Sequence, residues 1–176
     1  MRIISGKHRG RVLHLPAKFS ARPTTDFAKT GLFNILENNF DFKSIKVLDL
    51  FSGTGSISFE CASRGCSDIL LVEKSKIHYQ FISKTIEQLN LKGVQAIHGD
   101  VSRSIRNLDR DFDLVFADPP YEMAGVKEFP DKIFENRSLA PNGWLIVEHS
   151  DHIDFRKHPR FRDHRHYGSV NFSFFE

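Results

Sequence analysis

Lys46-Val-Leu-Asp49-Leu-Phe-Ser-Gly53-Thr-Gly55-Ser-Ile57 decides the fold. Residues 46–51 form a short apolar run carrying one acid, which reads as a buried strand. Gly53 and Gly55 then make a turn, and a helix follows from Ser56 to Arg64. Glycines let backbone approach a ligand closely, and a helix N-terminus favours negative charge. Asp49, at the strand's end, is placed to hold an ammonium or a ribose edge. The next segment, Asp68-Ile-Leu-Leu-Val-Glu73, repeats the pattern. It is a strand ending in an acid about twenty residues past the first glycine, where dinucleotide folds keep a ribose-binding acid. A third strand, residues 94–98, leads into Gly99-Asp100. Position 58 is Ser, so the loop lacks the third glycine and makes a poor NAD fingerprint.

Outward from this unit, strands and helices alternate. Helix 75–90 follows the second strand, a short helix near 101–107 the third, then strand 112–117, helix 126–136 and strand 143–149. Alternation of this kind predicts an α/β fold, a parallel sheet with helices on both faces. The tail differs: residues 161–166 and 170–175 flank Tyr167-Gly168-Ser169 and read as a hairpin. The start, Arg2 to Leu15 with Gly6 and Gly10, reads as a second hairpin, ended by Pro16. The loop Arg22-Pro-Thr-Thr-Asp26 opens a helix that Thr24 or Thr25 caps, with Asp26 in the first turn. Phe27, Leu32, Phe33, Ile35 and Leu36 supply its apolar face, out to about Phe40. With no repeats, linkers or low-complexity tracts, residues 1–176 are expected to form one domain.

Composition narrows the classes. No window is long and apolar enough for a membrane span, and the apolar run at the start is too short for a secretory signal. Cys61 and Cys66 read as ordinary thiols of a cytoplasmic protein. No His/Cys spacing matches a metal site, so no metal is expected. A formal net charge of +3 hides an asymmetry. Residues 1–22 carry six Lys or Arg, among them Arg9, Arg11 and Arg22, and no acid. Residues 156–166 carry five against Asp163, and the stretch between is acidic in balance. Such blocks either aid solubility or mark a phosphate-facing surface.

Asp118-Pro119-Pro120-Tyr121 follows the apolar run 112–117. Neither proline can donate to a ladder, so the strand stops there. Asp118 and Tyr121 then project from a stiff corner, with free carbonyls between them. An acceptor carboxylate, carbonyls and a flat ring suit a planar amino-bearing group such as a nucleobase. The bland alternative is a polar strand cap followed by a turn. Together with this tetrapeptide, the basic blocks favour nucleic acid as the partner.

The ordered strand-end acids and glycine loop resemble the S-adenosylmethionine site of Rossmann-like methyltransferases. That resemblance implies that the loop with Asp49, Gly53 and Gly55 holds the methionine part. Glu73 would hold the ribose hydroxyls, and Asp100 would lie near the adenine amino group. It also implies a seven-stranded, mostly parallel sheet closed by the C-terminal antiparallel hairpin, with a small N-terminal β-hairpin extension. Nearly the whole chain resembles the bacterial RsmD-type enzymes, through Met1-Arg-Ile-Ile-x-Gly-Lys-x-Arg-Gly-Arg, Arg22-Pro-Thr-Thr-Asp26, Leu32-Phe-Asn-Ile-Leu36, the loop at 49–56, Asp118-Pro-Pro-Tyr121 and Tyr167-Gly168. Those enzymes methylate the exocyclic N2 of one guanine in 16S ribosomal RNA, the guanine-966 type. Two positions depart from the family: Phe27 and Thr30 stand where it often has a basic residue and a Glu.

The resemblance implies a monomer that uses S-adenosylmethionine on small-subunit ribosomal RNA or an assembling 30S particle, with no membrane and no metal. Asp118 and the Pro119 carbonyl would accept the two amino hydrogens, Pro120 would stiffen the corner, and Tyr121 would stack on the base. Arg9, Arg11 and Arg22 would contact phosphates. Three other readings stay open: an amino methylase acting on DNA adenine or protein glutamine, a non-catalytic RNA-binding module of the same fold, and an NAD oxidoreductase. Adenine-specific DNA methylases usually carry an added recognition domain, for which this chain has no room, and glutamine methylases more often have Asn at position 118. Intact Asp49, Gly53, Gly55, Asp118 and Tyr121 weigh against the second, and the glycine spacing against the third.

Overall fold

The computed structural model describes residues 1–17, 19 and 24–176. Twelve elements follow in chain order among these residues. They are α1 (Asp26–Glu37), β1 (Lys46–Leu50), α2 (Ser56–Ser63), β2 (Asp68–Glu73), α3 (Lys76–Gln88), β3 (Val94–His98), α4 (Val101–Arg106), β4 (Phe112–Ala117), α5 (Phe129–Glu135), β5 (Leu139–His149), β6 (Phe161–Tyr167) and β7 (Val170–Phe175). The strands form one sheet in the order β3-β2-β1-β4-β5-β7-β6. Strands β1 to β5 run parallel, while β7 pairs antiparallel with both β5 and β6. The expected α/β fold with its closing hairpin is therefore present. The strand order reverses at β1, which sits between β2 and β4. In open α/β sheets a ligand crevice forms at such a switch, beyond the carboxyl ends of the strands.

Side chains alternate across a strand, so the inner strands β2, β1, β4 and β5 feed two cores. Val47, Leu71, Phe116, Ile146 and Phe172 pack with Leu32, Phe33, Ile57 and Ile82 on the face covered by α1, α2 and α3. Leu48, Leu50, Val72, Val115 and Leu145 pack with Ile105, Phe129 and Ile133 on the face covered by α4 and α5. Apolar side chains on both faces explain why these strands read as near-continuous apolar runs.

The N-terminal hairpin is present, and three other details depart from the sequence reading. The hairpin's bridge is Arg2 to Val12, and Ile3 N–H donates to the Arg11 carbonyl, Gly10 N–H to the Ile3 carbonyl and Leu13 N–H to the Met1 carbonyl, at 3.0, 2.9 and 2.8 Å. Amides nearer its turn reach α2: Ile4 and Ser5 donate to the Glu60 carboxylate at 2.8 and 2.9 Å, and Lys7 donates to the Ser63 carbonyl at 2.7 Å. The extension is thus strapped to α2. Phe27 lies off the buried face of α1 and is 69% exposed, its ring edge-on to Tyr167. Buried Lys29 takes a place on that face; its ammonium donates to the Arg2 carbonyl at 2.6 Å and lies 3.9 Å from Glu60. Helix α5 is shorter than expected because Pro130 sits in its first turn and Arg137 adopts φ 51° just past it. Strand β5 begins earlier, at Leu139, and its register shifts where Asn142 takes φ 63°.

Candidate functional site

A cleft of about 1380 Å³ opens at the switch point. Asp49, Gly53, Glu73, Asp100, Asp118 and Tyr121 all line it, as do Pro119 and Pro120. Four separate strand ends therefore converge, as the sequence pattern required.

The glycine loop is held from behind. Gly53 N–H donates to Glu73 Oε2 at 2.8 Å, and Ser75 N–H donates to Oε1 at 2.6 Å. One carboxylate thus ties the loop after β1 to the loop after β2, and still presents lone pairs to the cleft. The Ser52 hydroxyl donates to the carbonyls of Asp49 and Val72, at 2.7 and 3.2 Å. Gly55 caps α2 with φ 71°, and a Cβ there would sit 2.8 Å from the Phe59 ring. Phe51 also takes a left-handed φ, 59°, and lines the cleft. A bulky residue at positive φ is strained, and such strain collects at ligand sites.

Asp49 is 2% exposed, and Ser58 Oγ donates to its Oδ2 at 2.6 Å. Burial pushes its carboxyl up to about 7, with the charges of Asp118 and Glu73 adding to the effect. No ion pair reaches it among the described residues, so it suits an incoming cation. Asp100 differs: it is partly exposed, caps α4 by accepting from Ser102 N–H at 3.0 Å, and pairs with Lys74 at 3.2 Å. The Lys74 contact holds its carboxyl below the usual range. Capping and cleft-lining are compatible here, because one carboxylate has lone pairs for both.

Beyond β4, Asp118 N–H donates to the Leu50 carbonyl at 3.3 Å and the strand stops. The Asp118 side chain accepts no hydrogen bond and joins no ion pair among the described residues. Burial, then the charge of Glu148, raises its carboxyl well above the carboxylate range. The Pro120 carbonyl closes a turn with Met123 N–H at 2.8 Å, whereas no described hydrogen bond ends on the Pro119 carbonyl. Tyr121 is 64% exposed at the rim.

The sequence reading missed Glu148. It is the penultimate residue of β5, in the Val147-Glu148-His149 stretch, is 4% exposed, and lines the same cleft. Burial pushes it up to about 7, against the hydrogen bond from Thr24, whose Oγ1 donates to its Oε2 at 3.1 Å. An acid closing an apolar strand, the signal that found Asp49 and Glu73, was present here too. Thr25 caps α1, accepting from Ala28 N–H at 3.2 Å, and both threonines line the cleft.

Arg9 and Arg11 are exposed and do not line the cleft. Their turn docks at Ser63, the far end of α2 from Ser56, roughly 10 Å along the helix axis at 1.5 Å per residue. Arg22 lies outside the described residues. The C-terminal basic block is largely paired: Arg156 with Asp154, Arg165 with Asp163, and Arg162 with Glu176. Both cysteines are buried free thiols, as ordinary thiols would be.

A family profile described as Conserved hypothetical protein 95 matches residues 1–176. The chain is 32% identical over 153 residues to ribosomal RNA small subunit methyltransferase D of Haemophilus influenzae, covering 84% of this chain and 78% of that one. It is 28% identical over 148 residues to the protein of the same description from Escherichia coli K12, covering 84% and 74%. A hypothetical protein of Thermus thermophilus superposes with a TM-score of 0.85 at 26% identity, covering 100% and 99%. The fold alone is shared with SMU.776, solved with S-adenosylhomocysteine, at TM-score 0.63, 19% identity and coverage of 78% and 47%.

Proposed function

We propose that this chain, which belongs to the Conserved hypothetical protein 95 family of RsmD-type methyltransferases, transfers a methyl group from S-adenosylmethionine to the exocyclic N2 of a guanine in small-subunit ribosomal RNA. The observation that carries the reading is Asp118. Its carboxylate is half-buried, has no partner among the described residues, and lines the same cleft as the glycine loop. An acceptor partly shielded from water and without a partner is satisfied when donors arrive with the ligand. The relatives that are small-subunit ribosomal RNA methyltransferases support ribosomal RNA as the substrate class, and the reading takes residues 1–176 as one domain acting as a monomer.

The cleft fits the cofactor. Asp49 offers a buried carboxylate to an ammonium. Gly53 and Gly55 bring backbone close at the start of α2. Glu73 retains lone pairs for ribose hydroxyls, and Asp100 stands beside the position for an adenine amino group. When bound, the cofactor supplies an electrophilic methyl on a sulfonium.

Guanine N2 is a poor nucleophile because its lone pair is delocalised into the ring. Asp118 and the Pro119 carbonyl accept the two amino hydrogens and hold the nitrogen as it becomes tetrahedral and positive. An acceptor aimed at developing charge contributes about 3–4 kcal/mol to lowering the barrier. The stiff Pro119-Pro120 corner fixes that aim before the base arrives. Tyr121 stacks on the base, a contact worth about 1–3 kcal/mol. After the N–C bond forms, one amino proton leaves to Asp118 or water.

The test is single-turnover transfer of labelled methyl to small subunits, followed by nucleoside analysis. Label should appear in N2-methylguanosine, and Asp118→Ala should slow transfer about a hundredfold or more while both ligands still bind. Label on a ring nitrogen, on adenine or on protein would sink the assignment. A near wild-type rate for Asp118→Ala would remove the carboxylate from the chemistry.

A further inference from the structure

Strand register sets a second acid beside Asp118. Ala117 pairs with Val147 between parallel β4 and β5, so Asp118 and Glu148 follow side by side. Asp49 pairs with Phe116, two residues before Asp118, which puts Asp49 on that same face of the sheet. Three acids thus stand in a row across β1, β4 and β5. Asp49 has the glycine loop above it. The Asp118 side chain accepts no hydrogen bond among the described residues, whereas Glu148 is engaged by Thr24. Its Oε2 accepts the Thr24 hydroxyl at 3.1 Å, while Oε1 accepts nothing among the described residues.

Two neighbouring carboxylates, one buried and one half-buried, with no basic partner among the described residues, oppose folding. They match a ligand that presents two adjacent donors. Guanine does so along one edge, with N1–H next to the 2-amino group. Adenine shows a lone pair at N1, which a carboxylate repels. Strands about 4.8 Å apart bring both carboxylates within reach of one such edge.

We infer that Glu148 is the specificity-determining residue of this site, its carboxylate accepting the N1–H of the target guanine while Asp118 accepts from the neighbouring 2-amino group. The inference rests on the guanine-N2 reading above. Thr24 is the positioning residue: its hydroxyl occupies one oxygen of Glu148 and turns the other toward the base. A site built around a buried hydrogen-bond acceptor rejects an analogue lacking the donor far more strongly than an apolar pocket rejects a size change, because the acceptor is left unpaired.

The probe is 2-aminopurine, which keeps the 2-amino group but has a lone pair at N1 and no O6. The methylated guanine is first mapped with the wild-type protein. Small subunits are then reconstituted with guanine or 2-aminopurine at that nucleotide, and single-turnover rates are measured. Wild type should prefer guanine by about a hundredfold or more. Glu148→Gln, whose amide can donate to the N1 lone pair, should reduce that preference to within about tenfold. Its cofactor affinity by calorimetry should equal wild type, which also checks the fold. If Glu148→Gln slows both substrates by the same factor, the preference comes from O6 or from elsewhere, and the inference is overturned. Equal wild-type rates on the two substrates overturn it without any variant. If the initial mapping finds label away from guanine N2, the underlying reading fails first, and that result is separate from the ratio.

Discussion

Asp49→Asn should stabilise the unliganded protein at pH 8 and not at pH 4. Burial raises the folded-state carboxyl from 3.8 to about 7. The folded protein therefore binds this proton more tightly than the unfolded chain does. For a raised carboxyl, stability is fully present below the unfolded value and is lost as pH climbs through the folded one. The window runs from 3.8 to about 7. At 1.36 kcal/mol per unit, the ionised group costs on the order of 4 kcal/mol above that window. Asn keeps an oxygen to accept from Ser58 but carries no charge, so it escapes this cost. It also removes one repulsive neighbour from Asp118 and Glu73. Urea unfolding of both proteins at pH 4, 6 and 8 measures the gap. Glu148 titrates over a similar range with the same sign in both, so the difference isolates Asp49. The gap should widen steadily with pH, reaching an upshift of about 8–16 °C in Tm at pH 8 for a chain of this size. The same variant should bind S-adenosylmethionine more weakly, since the carboxylate assigned to the ammonium is gone. A gap independent of pH, or an Asn variant less stable than wild type at pH 8, would refute the argument.

Glu73→Gln should lower cofactor affinity by about 1–3 kcal/mol in calorimetry, because one acceptor oxygen for Gly53 and Ser75 becomes a donor; unchanged affinity removes Glu73 from the site. Replacing Arg9 and Arg11 with Ala should flatten the salt dependence of RNA binding by at most about two units of slope, with cofactor affinity unchanged. A slope that does not move would make that turn a solvated edge, despite its exposure beside α2. Gly6→Ala places a Cβ 1.9 Å from the Ser63 carbonyl at φ 78°, so the strap must lift from α2. Faster proteolysis near the N-terminus and a loss of about 1–3 kcal/mol in urea unfolding are expected; wild-type values for both would mean that the strap shifts without cost.

The alternating apolar runs were enough to set the architecture. Runs at 46–50, 68–73 and 112–117 admit no other reading once glycines and prolines bound them, and the helices between them require parallel pairing. The same punctuation exposed Asp49, Glu73 and Asp118, because an acid closing an apolar strand is visible in one dimension. What one dimension hides is who stands next to whom. Glu148 closes its strand as plainly as Asp118 does, yet only the register of β4 against β5 makes the two neighbours. The N-terminal segment folds into the hairpin its composition implies, but its Ile4 and Ser5 amides found the Glu60 carboxylate on α2, a partner more than fifty residues away. Phe27 has a core residue's chemistry and faces solvent, because Lys29 is drawn inward by the Arg2 carbonyl and Glu60. Periodicity and chain punctuation act between near neighbours in sequence, so the chain carries them by itself. Strand register, the paths of strapped amides and the pairing of buried charges depend on distant segments meeting, and the tertiary structure alone decides them.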